Sequence, residues 1–193
     1  MAKSVRTFIA LPINPEIAPE AYDFLLTRRR QLLSGNWGQR VRWVDPEHFH
    51  LTLCFLGQTS TSEIPGLAER LKDELKTLAS FSLTLNQPCL FPRPSRAKIV
   101  ACPASHRSEF KQLVRRVDNA CAPLLSQPEP TKSSHSYRAH ITLGRIRQKD
   151  STKRPNFPSF HGEAALSVKR VDIIASMPSQ ETVQHEVLHS IEL

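Results

Sequence analysis

Apolar positions along this chain recur with two periods, and the alternation between them outlines the fold. Residues 5–11, VRTFIAL, read as a buried strand ending at Pro12. From 15 to 33 the spacing turns helical through Ile17, Ala21, Phe24, Leu25 and Leu32, and Ser34-Gly35-Asn36 closes the helix. A short strand at 41–44 and an Asp45-Pro46-Glu47 turn lead into a strand from His50 that Gly57 should stop. Leu67, Leu71, Leu75 and Leu78 form one stripe, which predicts a helix over 63–79, and a strand is expected over 81–85. A proline-rich loop, Phe91-Pro92-Arg93-Pro94-Ser95-Arg96, precedes a strand over 98–102. A third helix is expected over 108–125, a polar loop over 126–136 and a strand over 139–146. Alternation over 164–175 and again over 182–193 predicts two closing strands. Antiparallel strands mixed with a few helices define an α+β fold, expected as one domain over residues 1–193.

Composition narrows the setting. With 39% hydrophobic and 23% charged residues the chain is of ordinary globular type, and no run reaches the roughly 18 apolar residues of a membrane span. The apolar stretch at 8–13 is too short for a signal-peptide core, so a cytoplasmic location is the expectation. Cys54, Cys89, Cys102 and Cys121 lack paired C-x-x-C spacing and read as free thiols. The formal charge of +8 favours polyanionic partners such as nucleic acid. Arg28-Arg29-Arg30 reads as a solvated helix face, with contact to an RNA backbone as the sharper alternative.

Two tetrapeptides carry the chemistry. His50-Leu51-Thr52-Leu53 and His140-Ile141-Thr142-Leu143 each write His-x-Thr inside an apolar strand. Strand alternation puts histidine and threonine on one face and the aliphatic pair on the other. If both strands reach one space, one neutral imidazole can take a proton while the other, protonated, delivers one to a departing oxygen. The threonine hydroxyls suit non-bridging phosphoryl oxygens. The rival use of histidine is metal binding, through His48 with His50, or through His185 with His189 on one face of the last strand. No HExxH or acidic constellation accompanies either pair. His185 and His189 read as partly buried strand residues, and His106, His135 and His161 as loop or surface residues.

With their flanks, these motifs resemble a known family. RTFIALPI at 6–13, VRWVDPEHFHLTLCFLGQ at 41–58, LFPRPSRAKIV at 90–100, YRAHITLGRIR at 137–147 and the closing VLHSIEL are similar to the RNA 2′,3′-cyclic phosphodiesterases, formerly called 2′-5′ RNA ligases, of the two-histidine phosphoesterase superfamily. The resemblance implies a bilobal LigT-like fold, two antiparallel sheets flanking a central cleft with helices outside and a pseudo-twofold axis between lobes. It implies hydrolysis of an RNA 2′,3′-cyclic phosphate end to a 2′-phosphate by a monomer, without metal or cofactor, and possible reverse 2′-5′ joining. His50 and His140 become the catalytic pair, with His140 favoured as base and His50 as acid. Thr52 and Thr142 bind phosphate, Arg145 holds phosphate or supports the terminal nucleotide, and Phe55 packs against a nucleobase. Strict alternation places Phe55 and Arg145 on the opposite face from the histidines, so a strand end or a bulge is needed to turn them inward. The sequence departs from the family at Ala139, where proline is usual, and at Val100-Ala101-Cys102-Pro103, where a tryptophan-containing strand is common. Other readings are a related enzyme acting on small cyclic nucleotides or ADP-ribose cyclic phosphate, and a non-catalytic basic RNA-binding module.

Overall fold

Alternating runs become ten strands and the longer stripes three helices in the computed structural model, which describes residues 3–105, 108–125, 137–147, 156–178 and 183–193. In chain order the elements are β1 (Ser4–Pro12), α1 (Pro19–Leu33), β2 (Val41–Trp43), β3 (His50–Ser60), α2 (Ile64–Leu75), β4 (Phe81–Leu85), β5 (Cys89–Phe91), β6 (Ile99–Pro103), α3 (Ser108–Cys121), β7 (His140–Ile146), β8 (Ala164–Val168), β9 (Arg170–Pro178) and β10 (Val183–Glu192). Eight strands form one antiparallel sheet in the order β10-β9-β1-β3-β7-β6-β5, with β2 also on β7, and β4 pairs with β8 in a second sheet. The α+β architecture of two antiparallel sheets with helices outside is thus as expected. His106, His135 and the polar loop over 126–136 lie outside the described residues.

Local chemistry explains where boundaries moved. Helix α1 starts at Pro19 rather than near Pro15, because the Asn14 side chain accepts the backbone N–H groups of Glu16 and Ile17 in a turn, and proline suits the first helical turn. Gly57 does not stop β3. It takes φ +73°, Leu56 is left without a partner between Phe8↔Phe55 and Thr7↔Gly57, and pairing with β1 runs on to Ser60. The alternation over 164–175 is two strands in two sheets, parted at Lys169: β8 pairs with β4 and β9 with β1. The three-residue β5 is an additional strand, pairing Cys89–Phe91 with Ala101–Ile99.

The arginine triple is only partly the solvated face its sequence suggested, since Arg30 is exposed while Arg28 and Arg29 are partly buried. Arg28 donates to the His161 carbonyl at 2.6 Å and lies over the Phe24 and Phe160 rings, and Arg29 donates to the Val44 carbonyl at 3.0 Å. These two residues fasten α1 to neighbouring segments. Arginines also tie the other two helices together near their C-terminal ends: Arg70 of α2 reaches the Ala120 carbonyl of α3, and Arg116 of α3 reaches the Glu74 carbonyl of α2. The four cysteines are thiols outside any disulfide, with Cys54, Cys102 and Cys121 buried.

The apolar faces of the two His-x-Thr strands enter the main core, where Leu51, Leu53, Ile141 and Leu143 join Leu67, Leu71, Phe110 and Leu113 of the helices. Gly144 allows β2 to lie close on β7. A Cβ there would stand 2.3 Å from Val41 Cγ1 and 3.0 Å from the Arg42 carbonyl oxygen. Gly144→Ala should therefore push β2 outward and cost about 1–3 kcal/mol, measurable by denaturant unfolding.

Candidate active site

The two tetrapeptides are neighbours in the larger sheet. Strands β3 and β7 run antiparallel and pair at Leu51↔Ile141, the residue between His and Thr in each motif. An antiparallel pair is related by a twofold axis through its paired position, and the flanking strands obey the same axis. Pro12 faces His50 and Ala10 faces Thr52, just as Pro103 faces His140 and Ala101 faces Thr142. The Ile13 N–H donates to the Phe49 carbonyl at 3.0 Å, and the Ala104 N–H to the Ala139 carbonyl at 2.9 Å. Val100-Ala101-Cys102-Pro103 is therefore the structural counterpart of Ile9-Ala10-Leu11-Pro12, and Ala139 leaves strand entry intact.

The bulge required by Phe55 and Arg145 is present twice. Ile9 pairs with Cys54 while Ala10 pairs with Thr52, so Leu53 is the extra residue. Val100 pairs with Gly144 while Ala101 pairs with Thr142, so Leu143 is its equivalent. Phe8 and Ala10 share a face, hence their partners Phe55 and Thr52 do too, although three apart; Ile99 and Ala101 carry Arg145 and Thr142 by the same logic. The result is one face with His50, Thr52 and Phe55 from β3 and His140, Thr142 and Arg145 from β7. Phe55 is 59% exposed there.

Both imidazoles are held alike. His50 Nδ1 lies 2.8 Å from the His48 carbonyl oxygen, and His140 Nδ1 lies 2.7 Å from that of Arg138. A carbonyl only accepts, so each ring carries its proton on Nδ1 and leaves Nε2 for chemistry. Burial holds His50 below its ordinary value; its carbonyl partner opposes this, while the charges of His48, His140 and Arg145 add to it. Burial lowers His140 as well, against the Arg138 carbonyl and with the Arg138 charge. The Tyr137 hydroxyl donates to the Thr52 carbonyl, tying the entry to β7 onto the motif of β3. Burial pushes that phenol up, so it stays a donor.

Several contributors were not visible in the sequence. Phe91 stacks on the His140 ring at 4.4 Å, with the Arg138 guanidinium 4.5 Å from the Phe91 centroid. Phe8 lies 5.0 Å from the His50 ring. Arg42 stands directly opposite Arg145 across β2 and β7, a like-charge pair that costs stability unless an anion lies nearby. His185 also belongs to this face. Its ring lies 5.3 Å from that of His50 and 4.8 Å from that of His48, and burial, then those two histidines, push it down to about 4. A bulge at Leu188 turns His189 away, so it and His185 do not share a face as alternation suggested. No group of three or more His, Cys, Asp or Glu side chains among the described residues is placed to hold a metal ion.

This architecture is that of the LigT-like two-histidine phosphoesterases. A Thermus thermophilus structure covers 97% of this chain and 97% of its own at TM-score 0.77 and 22% identity. An E. coli LigT structure, complexed with NADP+, covers 99% of both chains at 0.74 and 20%. The family model "LigT like Phosphoesterase" matches residues 16–101, which contain the first motif. Curated relatives extend the match. An RNA 2′,3′-cyclic phosphodiesterase of Thermotoga maritima is 26% identical over 143 residues, 74% of this chain and 71% of that protein. One of Archaeoglobus fulgidus is 26% identical over 146 residues, 76% and 75%. The chain is thus similar to the LigT-like phosphoesterases around its first motif, and to proteins named RNA 2′,3′-cyclic phosphodiesterase over about three quarters of its length.

Proposed function

We propose that this protein hydrolyses the 2′,3′-cyclic phosphate end of RNA to a 2′-phosphate, acting as one domain and a monomer in the cytoplasm, with 2′-5′ joining as the same displacement when an RNA 5′-hydroxyl takes the place of water and P–O3′ again breaks. The observation that carries this reading is the duplicated constraint on the two imidazoles, each donating Nδ1–H to the carbonyl two residues earlier and keeping Nε2 free beside a threonine. Homology to proteins named for this activity supports it, as does the formal charge of +8.

In this scheme His140 Nε2 takes a proton from the attacking water as the new P–O bond forms, and His50 Nε2 delivers one to O3′ as the P–O3′ bond breaks. Thr52 and Thr142 donate hydrogen bonds to the non-bridging oxygens. Arg145 with Arg42 supplies positive charge against the pentacoordinate phosphorane, and Phe55 carries the terminal base. These protein groups account for each proton and each bond.

The test is a product assay on an oligonucleotide ending in a 2′,3′-cyclic phosphate. A 2′-phosphate is expected; a 3′-phosphate or no product overturns the reading. The pH dependence should follow the site's electrostatics. Both imidazoles are held below about 6.5 in the free protein, so the bell for kcat/KM should be centred below pH 6.5. Bound phosphate favours the protonated acid, so the falling limb of kcat should lie at higher pH than that of kcat/KM.

A further inference from the structure

Beside the two motifs, the same face carries an apolar row in cross-strand register. Val187 of β10 faces Ile174 of β9, Ile174 faces Phe8 of β1, and Phe8 faces Phe55 of β3. Phe8 and Ile174, with Ala10, form a small buried cluster apart from the main core. The Phe8 ring is the hub, lying 5.0 Å from His50, 6.0 Å from Phe55 and 5.2 Å from His185. Both ends of the row are open to solvent, Phe55 at 59% exposed and Val187 at 52%. Only two other large apolar side chains among the described residues are exposed, Leu33 at 37% and Met177 at 36%, so the two most exposed terminate one row on one face.

Three strand spacings separate the ends, about 14 Å, a span that one nucleobase does not bridge. His185, two residues before Val187 on the same face of β10, sets its ring against Phe8 and 5.3 Å from that of His50. An apolar and imidazole surface continuous with a phosphate site, on a chain of charge +8, suits a base whose own backbone is anionic.

We propose that Val187, with His185 beside it and Ile174 and Phe8 beneath, seats the unpaired base of the nucleotide preceding the phosphate-bearing one. This rests on the phosphodiesterase reading above, which places the terminal base on Phe55. It makes the β9–β10 hairpin a determinant of preference for an RNA strand over a mononucleotide.

The experiment compares kcat/KM on a trinucleotide ending in a 2′,3′-cyclic phosphate with the same trinucleotide abasic at the middle position. The parent should lose about tenfold on the abasic strand. Val187→Ser, which removes the apolar contact without adding charge at an exposed position, should lose a similar factor on the intact strand and little more on the abasic one. Equal rates of the parent on both strands, or a full abasic penalty retained in Val187→Ser, overturn the proposal. A parent that turns over neither strand overturns the phosphodiesterase reading and this seat with it; turnover at equal rates overturns the seat alone.

Discussion

Replacing either His50 or His140 with alanine is expected to lower turnover of a cyclic-phosphate oligonucleotide by about two to four orders of magnitude, with the fold retained. Both rings are half-buried on an open face, and the residues that fill the core beneath them are their neighbours Leu51 and Ile141. The loss should therefore fall on kcat and leave thermal unfolding near that of the parent. The double variant should be little worse than either single one, because one proton-transfer path needs both ends and removing either disables it. Single-turnover rates of the three variants check this. Near-normal turnover by both single variants would sink the two-histidine mechanism.

The second large effect concerns stability. Asp172 is fully buried on the same face of the sheet as Ala10, its partner in β1, and its carboxylate meets Arg170 through Nε–Oδ1 at 2.9 Å and Nη2–Oδ2 at 3.1 Å. Arg170→Ala leaves this carboxylate buried without its counter-ion, a change that costs about 3–5 kcal/mol in comparable settings. Denaturant unfolding should show it as a lower midpoint at unchanged slope. The double variant Arg170→Met, Asp172→Leu should recover most of the loss, since the penalty comes from the orphaned charge. Equal losses in the two variants would instead assign the effect to packing.

Much of the fold was legible because the amphipathic period survives wherever one face of an element is buried. Strand β4 and the first part of β7 follow from alternation, most of β1 and β6 from apolar runs bounded by turn residues, and the stripes of α2 and α3 from helical spacing. Local hydrogen bonding escaped that reading: the Asn14 turn delays α1, and the left-handed Gly57 carries β3 past its expected stop. Tertiary pairing escaped it too, since the strands β8 and β9 look like one run but belong to different sheets.

The candidate site divides along the same line. His50, Thr52, His140 and Thr142 sit on one face by local alternation alone, so their sequence spacing was enough. Phe55 and Arg145 required an extra residue at Leu53 and Leu143, which shows only in the register against β1 and β6. His185 comes from a strand more than a hundred residues beyond His50 and arrives by pairing on β9, which no local pattern announces. Arg42 likewise becomes relevant only when β2 lies on β7 and sets it opposite Arg145.

The twofold relation between the motifs bears on time as well as space. A site whose halves are interchangeable has no intrinsic arrow, since each imidazole is held by the same kind of bond and can serve either end of the displacement. Any preference must come from what surrounds the halves, and those surroundings are unequal. One ring lies among two further imidazoles and the Arg145 charge, while the other lies flat against Phe91 with Arg138 beyond it. On the proposed mechanism the motifs allow proton relay in both senses, and their unequal neighbours would break the tie.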